Sequence, residues 1–406
     1  RQRVIAIICT LSYGFSYLIW LHAIVPEVFA LHVLFSVFIF YLMLLYRESG
    51  KLQNLLWSSF LMGLSLTHHH TIIFLLPMYI FLGFSQFKKS RIKPTMILLM
   101  LLYFIIGLLP YIYVFWASKT IPAINWEEPH TLQGFLRLIT RAIYGTFRSG
   151  NSFGLNPIDR YYLLRLFRDS IILDFNRLGI ILVIIGIVTQ WFRNKNIFWI
   201  LLLGFICSGP LFIFYTGFPP VLNYYIGIIE RFLLIPYLFL FIWMGYGIQK
   251  SVSIVNKIIS FVIRKSYNFP VSTIFLLIPL SLFLINYPRM YSLKDDRTAE
   301  KLAEDILLTV NDNGILLVID DTSTFNTQYV YWTQGGKNKW RQIKYIQIGL
   351  SNEPFYLNII NKYYPELELP EKVSTDNTFK ILVEKNFARF PIYSATRFKT
   401  PDGYEW

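Results

Sequence analysis

Cysteine is nearly missing from this chain: Cys9 and Cys207 are the two in 406 residues, each inside an apolar run. That excludes a disulfide framework and a cysteine metal site. Charge is scarce as well, at 15% of residues, where a soluble domain carries about 25%. Acids are the scarcer sign, 24 against 38 basic residues. No glycine-rich loop offers a cradle for a nucleotide phosphate. Internal repeats and low-complexity tracts are missing too, so a duplicated transporter architecture lacks its usual sign.

What is present is apolar: 54% of residues are hydrophobic and the mean hydropathy is +0.46. Uncharged runs recur at residues 4–21, 28–46, 95–117, 178–192, 197–216, 232–248 and 270–287. Most approach or exceed the roughly 17–20 residues that cross a bilayer as a helix. The expected fold class is an α-helical polytopic membrane protein with about seven full spans.

The net charge of +14 is unevenly placed. From residue 288 onward 15 basic residues meet 16 acidic ones, leaving 23 against 8 before it. Much of that excess lies in the N-terminal stub and alternate short loops: Arg1, Arg3; Arg47, Lys51; Lys88, Lys89, Arg91, Lys93; Arg193, Lys195; Lys250, Lys257, Arg264, Lys265. By the positive-inside rule these face the cytoplasm. The 22–27 turn, the 118–177 and 217–231 loops and everything after 287 then lie outside. The positive charge is accounted for by topology, and no nucleic-acid partner is expected. The Lys, Asn and Ile usage suggests an AT-rich genome, and the expected location is the plasma (inner) membrane of a bacterium.

Residues 55–84 are apolar, yet the loops on both sides read as cytoplasmic. A helical hairpin with His68, His69 and His70 at its apex resolves the conflict, since each half is too short to cross alone. The expected domains are 1–287, with interfacial helices near 132–147 and 157–173, and 288–406, a small extracytoplasmic α/β module. A weaker interfacial helix is expected at 252–263. In the module, helices are expected at 297–310 and 355–364 and strands at 314–319, 344–348 and 379–383. A helix or strand is expected to start at 329–332.

Several residues carry candidate chemistry. Arg137, Arg141, Tyr144 and Arg148 fall at i, i+4, i+7 and i+11, one face of a helix over 132–147. Arginine's planar fork suits phosphate, although snorkelling to lipid head groups explains the same bias. Glu27, after Pro26, is either an interfacial acid or a carboxylate facing a cavity. The histidine triplet is open to three readings: a structural polar apex, a phosphate or sugar contact, or, less readily given its spacing, a metal site. Glu230 and Arg231 form a boundary ion pair or line a cavity. Asp320 and Asp321 read as a strand cap.

Several stretches together resemble one family. Glu27-Val28-Phe29-Ala30-Leu31 looks like an A-E-V-[FY]-x-L helix start. Gly63-Leu64-Ser65-Leu66 with His70-Thr71-Ile72-Ile73 is similar to G-L-S-L-x-x-x-H-T-I-I. Trp126, Thr131-Leu132-Gln133-Gly134-Phe135, Arg141 and Tyr144-Gly145-Thr146-Phe147 resemble W-x(4)-T-L-Q-G-F-x(5)-R-x-x-Y-G-T-F, and Glu230-Arg231-Phe232 resembles E-R-F. The chain is thus similar to the transmembrane O-mannosyltransferases that modify plexin-type receptors, and to their bacterial relatives. The likeness covers about residues 10–250, and more loosely the outer module to Pro370.

This resemblance implies a GT-C glycosyltransferase that passes a sugar, mannose or another hexose, from a polyprenyl-phosphate donor to a protein or glycan acceptor at the extracytoplasmic face. No divalent metal is expected. Substrate-binding candidates are His70, Trp126, Arg137, Arg141, Tyr144, Glu230 and Arg231, with Glu27 assisting. The family's catalytic carboxylate lies near G-D-x-x-E and H-P-P-G motifs in the first outer loop. This chain has neither, so the base is expected upstream of residue 1 or the chain is inactive as it stands. Glu127-Glu128 stand where relatives carry Gly-Asp, and His68-His69 where they carry Asn-Gln; both departures leave sugar and acceptor open. The alternatives are a transporter or flippase of a lipid-linked or anionic solute, and a non-catalytic membrane scaffold.

Overall fold

A computed structural model describes residues 2–87, 93–146, 155–218, 223–264, 271–333, 340, 342–370 and 378–396. Arg1, the loop cations Lys88, Lys89, Arg91 and Lys265, and the Phe147-Arg148 end of the arginine face lie outside the described residues. The chain forms two compact units: residues 1–112 with 144–291, and residues 113–143 with 292–406. Residues 113–143 therefore group with the C-terminal residues, not with the spans that flank them.

The first unit is a helix bundle. Its helices are α1 (Gln2–Phe15), α2 (Tyr17–Ile24), α3 (Phe29–Ser49), α4 (Leu52–His68), α5 (Leu76–Phe87) and α6 (Pro94–Gly107). The next, α7 (Pro110–Ser118), runs across the boundary between units. Then come α9 (Pro157–Arg193), α10 (Lys195–Ser208), α11 (Pro210–Tyr215), α12 (Asn223–Glu230), α13 (Leu234–Ile263) and α14 (Leu277–Ser292). Among the described residues six stretches are long and apolar enough to cross a bilayer, or seven when α1 and α2, bent by 62°, count as one span. Those seven coincide with the apolar runs of the sequence. The weaker interfacial helix expected at 252–263 is instead the unbroken end of α13, because no helix breaker interrupts it before Arg264 turns left-handed at φ 54°.

α4 ends at His68, His69 is extended (φ −151°, ψ 119°), and a 3-10 turn, His70–Leu75, leads into α5. Leu55 and Ser58 of α4 and Tyr79 and Gly83 of α5 line one apolar cavity of about 470 Å3, with α3 and α6 completing its wall; α4 packs on α3 and α6, and α5 on α3 and α10. α4 also crosses α6 at a point where neither helix tolerates a side chain. A Cβ on Gly63 would lie 2.1 Å from the Phe104 carbonyl oxygen, and one on Gly107 2.2 Å from that of Phe60. Small residues permit such backbone contact in lipid, where packing rather than water expulsion joins helices. α9 breaks at Asn176 (φ 46°, ψ −172°), whose Oδ1 accepts from the Leu178 and Gly179 amides and caps the second half. The break falls between the interfacial helix and the span expected from hydropathy.

The second unit holds α8 (Leu132–Ile139) and, after residue 292, α15 (Thr298–Thr309), β1 (Ile315–Val318), α16 (Asp321–Thr333), β2 (Lys344–Gln347), α17 (Pro354–Tyr363), α18 (Thr378–Asn386) and β3 (Ile392–Ser394). The strands form a parallel sheet in the order β2-β1-β3. Ile315 and Leu317 face Ile359, Ile360 and Leu382, whereas Leu316 and Val318 face Leu307 and Val330. Both faces are thus covered, which is why GILLVI is an unbroken apolar run. The strand expected at 379–383 is instead helix α18. A short apolar run reads the same either way, and the Asn386 side chain closes this one as a helix by donating to the Leu382 carbonyl at 2.8 Å. Residues 329–332 are the end of α16, not a new element.

Candidate functional site

Chemistry-bearing residues of the bundle converge on the His68–His70 break between α4 and α5. His68 Nε2 donates to the Val28 carbonyl at 2.8 Å, which ties the apex to the start of α3. His69 Nδ1 lies 2.6 Å from Thr71 Oγ1, which lies 3.0 Å from His32 Nε2, and His70 Nε2 is 3.1 Å from the Tyr111 hydroxyl. The three apex rings therefore go to three different partners. No group of three or more His, Cys, Asp or Glu among the described residues is arranged to hold a metal ion.

Glu27 and Arg231, 204 positions apart, meet here: Arg231 Nη1 is 2.9 Å from Glu27 Oε1, and both side chains are 30% exposed. The guanidinium also stands 5.9 Å from the Phe29 ring centre, and Phe29 packs edge-on to Phe232 at 5.0 Å. A half-exposed ion pair contributes at most about 1 kcal/mol, so its main effect is to orient the cation. One carboxylate contact does not exhaust the five N–H donors of an arginine. Glu230, next in sequence, ends α12, and the 3-10 turn Arg231–Leu233 begins after it; the ion pair of Arg231 runs to Glu27.

Two further histidines, not singled out from the sequence, complete the group. His22 and His32 are 7% and 2% exposed, and neither ring nitrogen of His22, nor Nδ1 of His32, meets a partner among the described residues. Buried polar atoms of this kind ordinarily have a partner, supplied by protein, water or ligand. The signal was present in HAIVPEVFALH, where the two flank Glu27 at five residues on either side. Asp174 was also missed. It sits two residues before the α9 break, beside a cavity of about 240 Å3, and its charge is near those of Glu230 and Arg289.

Other sequence candidates lie in the second unit. Trp126 packs against Phe355 with ring centres 6.4 Å apart and joins that unit's core. Arg137 Nε donates to Glu127 Oε2 at 2.6 Å and Nη2 to Glu353 Oε2 at 3.4 Å. Burial raises the Glu353 carboxyl above the ordinary carboxylate value, opposed by Arg137 and reinforced by Glu127. The fork expected to hold phosphate thus clamps two carboxylates. Asn358 donates to Glu128 and Lys362 to the Thr120 and Ile121 carbonyls, so α17 holds much of the 120–137 segment.

The helix expected over 132–147 stops at Ile139, because Arg141 adopts φ 55°. A 3-10 turn, Ala142–Tyr144, follows, and the single face through Arg137, Arg141 and Tyr144 does not form. The TLQGF motif has a local explanation. Thr131 Oγ1 accepts from the Gly134 amide and caps α8, and a Cβ on Gly134 would lie 2.2 Å from the Glu127 carbonyl oxygen. Asp320 is a cap as well, accepting from the Ser323 amide and hydroxyl at 2.8 Å each.

Composition, spans and fold define a polytopic helical membrane protein. Residues 2–93 match the family model described as Protein O-mannosyl-transferase TMEM260 N-terminal domain. Over 97% of its length the chain is 23% identical to protein O-mannosyl-transferase tmem260 of Dictyostelium discoideum, covering 48% of it. Over 88% of its length it is 24% identical to protein O-mannosyl-transferase TMEM260 of Mus musculus, covering 51%. The chain spans about half the length of these curated relatives. No solved structure matches. The chain is an O-mannosyltransferase-like membrane protein.

Proposed function

We propose that the chain acts in transfer of mannose or another hexose from a polyprenyl-phosphate donor to a protein or glycan acceptor, at the extracytoplasmic face of a bacterial plasma membrane. The observation that carries this reading is the convergence of Arg231, Glu27, His22, His32 and the His68–His70 apex at one end of the bundle. In the reaction the bond from the sugar C1 to the phosphate oxygen breaks and one to the acceptor oxygen forms. The acceptor proton passes to a base, and polyprenyl phosphate leaves with the extra negative charge.

Arg231, oriented by Glu27 and Phe29, meets that growing charge, which a fixed cation in a low-dielectric site stabilises strongly. His22 and His32 supply further polar atoms for phosphate or sugar oxygens, whereas His70, beside the Tyr111 hydroxyl, remains a candidate contact. Glu27, engaged by Arg231, is a positioning residue in this scheme. Glu230, Arg141 and Tyr144 remain candidates for sugar or acceptor contacts; Trp126 and Arg137 are explained by packing and ion pairing in the second unit.

The test is sugar transfer from polyprenyl-phosphate mannose by the full-length protein in membranes. Arg231→Ala is expected to lower kcat/KM by roughly 100-fold, the usual loss for one charge-stabilising donor, with Arg231→Lys intermediate. Unchanged transfer by Arg231→Ala would remove the phosphate role.

A further inference from the structure

The bundle carries a polar cavity far from the histidines. Gln249 lies 18 residues beyond Arg231, roughly 27 Å along a helix and close to the thickness of a bilayer core. Around it opens a cleft of about 660 Å3 between α1, α9, α10 and α13. Gln2, Thr10, Gln190, Arg193, Tyr246 and Gln249 line its polar side, while Ile5 and Phe241 line its apolar side. No carboxylate lines it among the described residues.

Gln190 is 2% exposed, and its Oε1 has no hydrogen-bond partner among the described residues. Such an atom in a cavity wall calls for a partner from outside the chain. Arg193 Nη1 donates to Gln249 Oε1 at 3.2 Å, which fixes the guanidinium at the rim. Arg193 is the one charged residue among the described residues that line the cleft, so its rim is electropositive.

We propose that this cleft binds the head group of an anionic phosphoglyceride that carries hydroxyls, such as phosphatidylglycerol. The phosphodiester pairs with Arg193, whose remaining donors suit phosphate oxygens. A head-group hydroxyl, donor and acceptor at once, satisfies the Gln190 amide whichever way it is turned. The acyl chains run along Ile5 and Phe241. An inorganic phosphate would have no use for that apolar wall, and a choline head group would offer Gln190 no hydroxyl. This site does not depend on the transfer reaction.

The experiment is native mass spectrometry of the purified full chain with phosphatidylglycerol, phosphatidylcholine or glycerol phosphate added. The wild type is expected to retain phosphatidylglycerol at least tenfold better than phosphatidylcholine. Arg193→Gln and Gln190→Leu are each expected to reduce that retention at least tenfold. Unfolding temperature without lipid is measured in parallel, and Arg193→Gln, at an exposed position, serves as the variant that keeps the fold. Equal retention of both lipids, or equal retention of phosphatidylglycerol by wild type and Arg193→Gln, would overturn the proposal. Glycerol phosphate binding as well as the lipid would assign the cleft to free phosphate esters and overturn it also.

Discussion

Arg137 shows how a residue chosen for one chemistry can be committed to another. Its partner Glu127 has a side chain only 2% exposed, and both Glu127 and Glu128 hold positive φ, 64° and 46°. Backbone of that kind costs a non-glycine residue about 1–2 kcal/mol. Removing the guanidinium leaves a buried carboxylate unpaired, so Arg137→Ala is expected to destabilise the second unit by about 3 kcal/mol. Arg137→Ala with Glu127→Gln should recover part of that loss in thermal unfolding.

The same variant moves Glu353. Its carboxyl already titrates above the ordinary value through burial, and Arg137 is what opposes the rise. A carboxyl raised on folding favours the protonated form. Its contribution is complete below the unfolded value and is lost as pH rises through the folded one. In Arg137→Ala the folded value should move further up, and stability should begin to fall at the same pH but continue falling to a higher one. A carboxyl-carbon titration by NMR, against pH-dependent unfolding, checks both. None of this was legible in the sequence. Local spacing placed Arg137 on a face with Arg141, but Glu353 is 216 positions away and the left-handed Arg141 ends the face.

At the scale of elements, hydropathy alone located the spans and the break in α9. A helix in lipid must satisfy its own backbone and show the bilayer apolar side chains, so its signal is written along one segment. Approach distances between helices are not written that way. Gly63 and Gly107 mark the α4–α6 crossing, and Gly134 sits against the 127–128 turn, yet each looks like an ordinary helix glycine. Gly134→Ala is therefore expected to cost about 1–3 kcal/mol through overpacking, despite alanine's better helix propensity. An exposed helix position would show the opposite sign. Thermal unfolding of the variant distinguishes the two. Likewise the α18 segment had the apolar content of a strand, and only its Asn386 cap, formed across the unit with Glu368, distinguishes it.

For the whole molecule, the charge distribution makes a prediction about sidedness. With both native cysteines replaced by serine, a cysteine at Lys301 should react with an impermeant maleimide in intact cells. One at Lys195 should react only after permeabilisation. Labelling of Lys195→Cys in intact cells would invert the proposed orientation. The pairing of Glu27 with Arg231 belongs to this scale too: charge counting put both at one end of the bundle, and the fold alone could say that they meet.

The second unit is assembled from residues 113–143 and 292–406, with most of the membrane spans threaded between. During synthesis the first piece leaves the ribosome long before β3 is made. At about 5–20 residues per second, the delay is on the order of tens of seconds. For that interval the strained 127–128 turn has neither Glu353 nor Asn358 to hold it. The newborn segment must wait without its partners, which makes the timing of translation, and whatever chaperone or protease patrols that side of the membrane, part of how this protein reaches its fold.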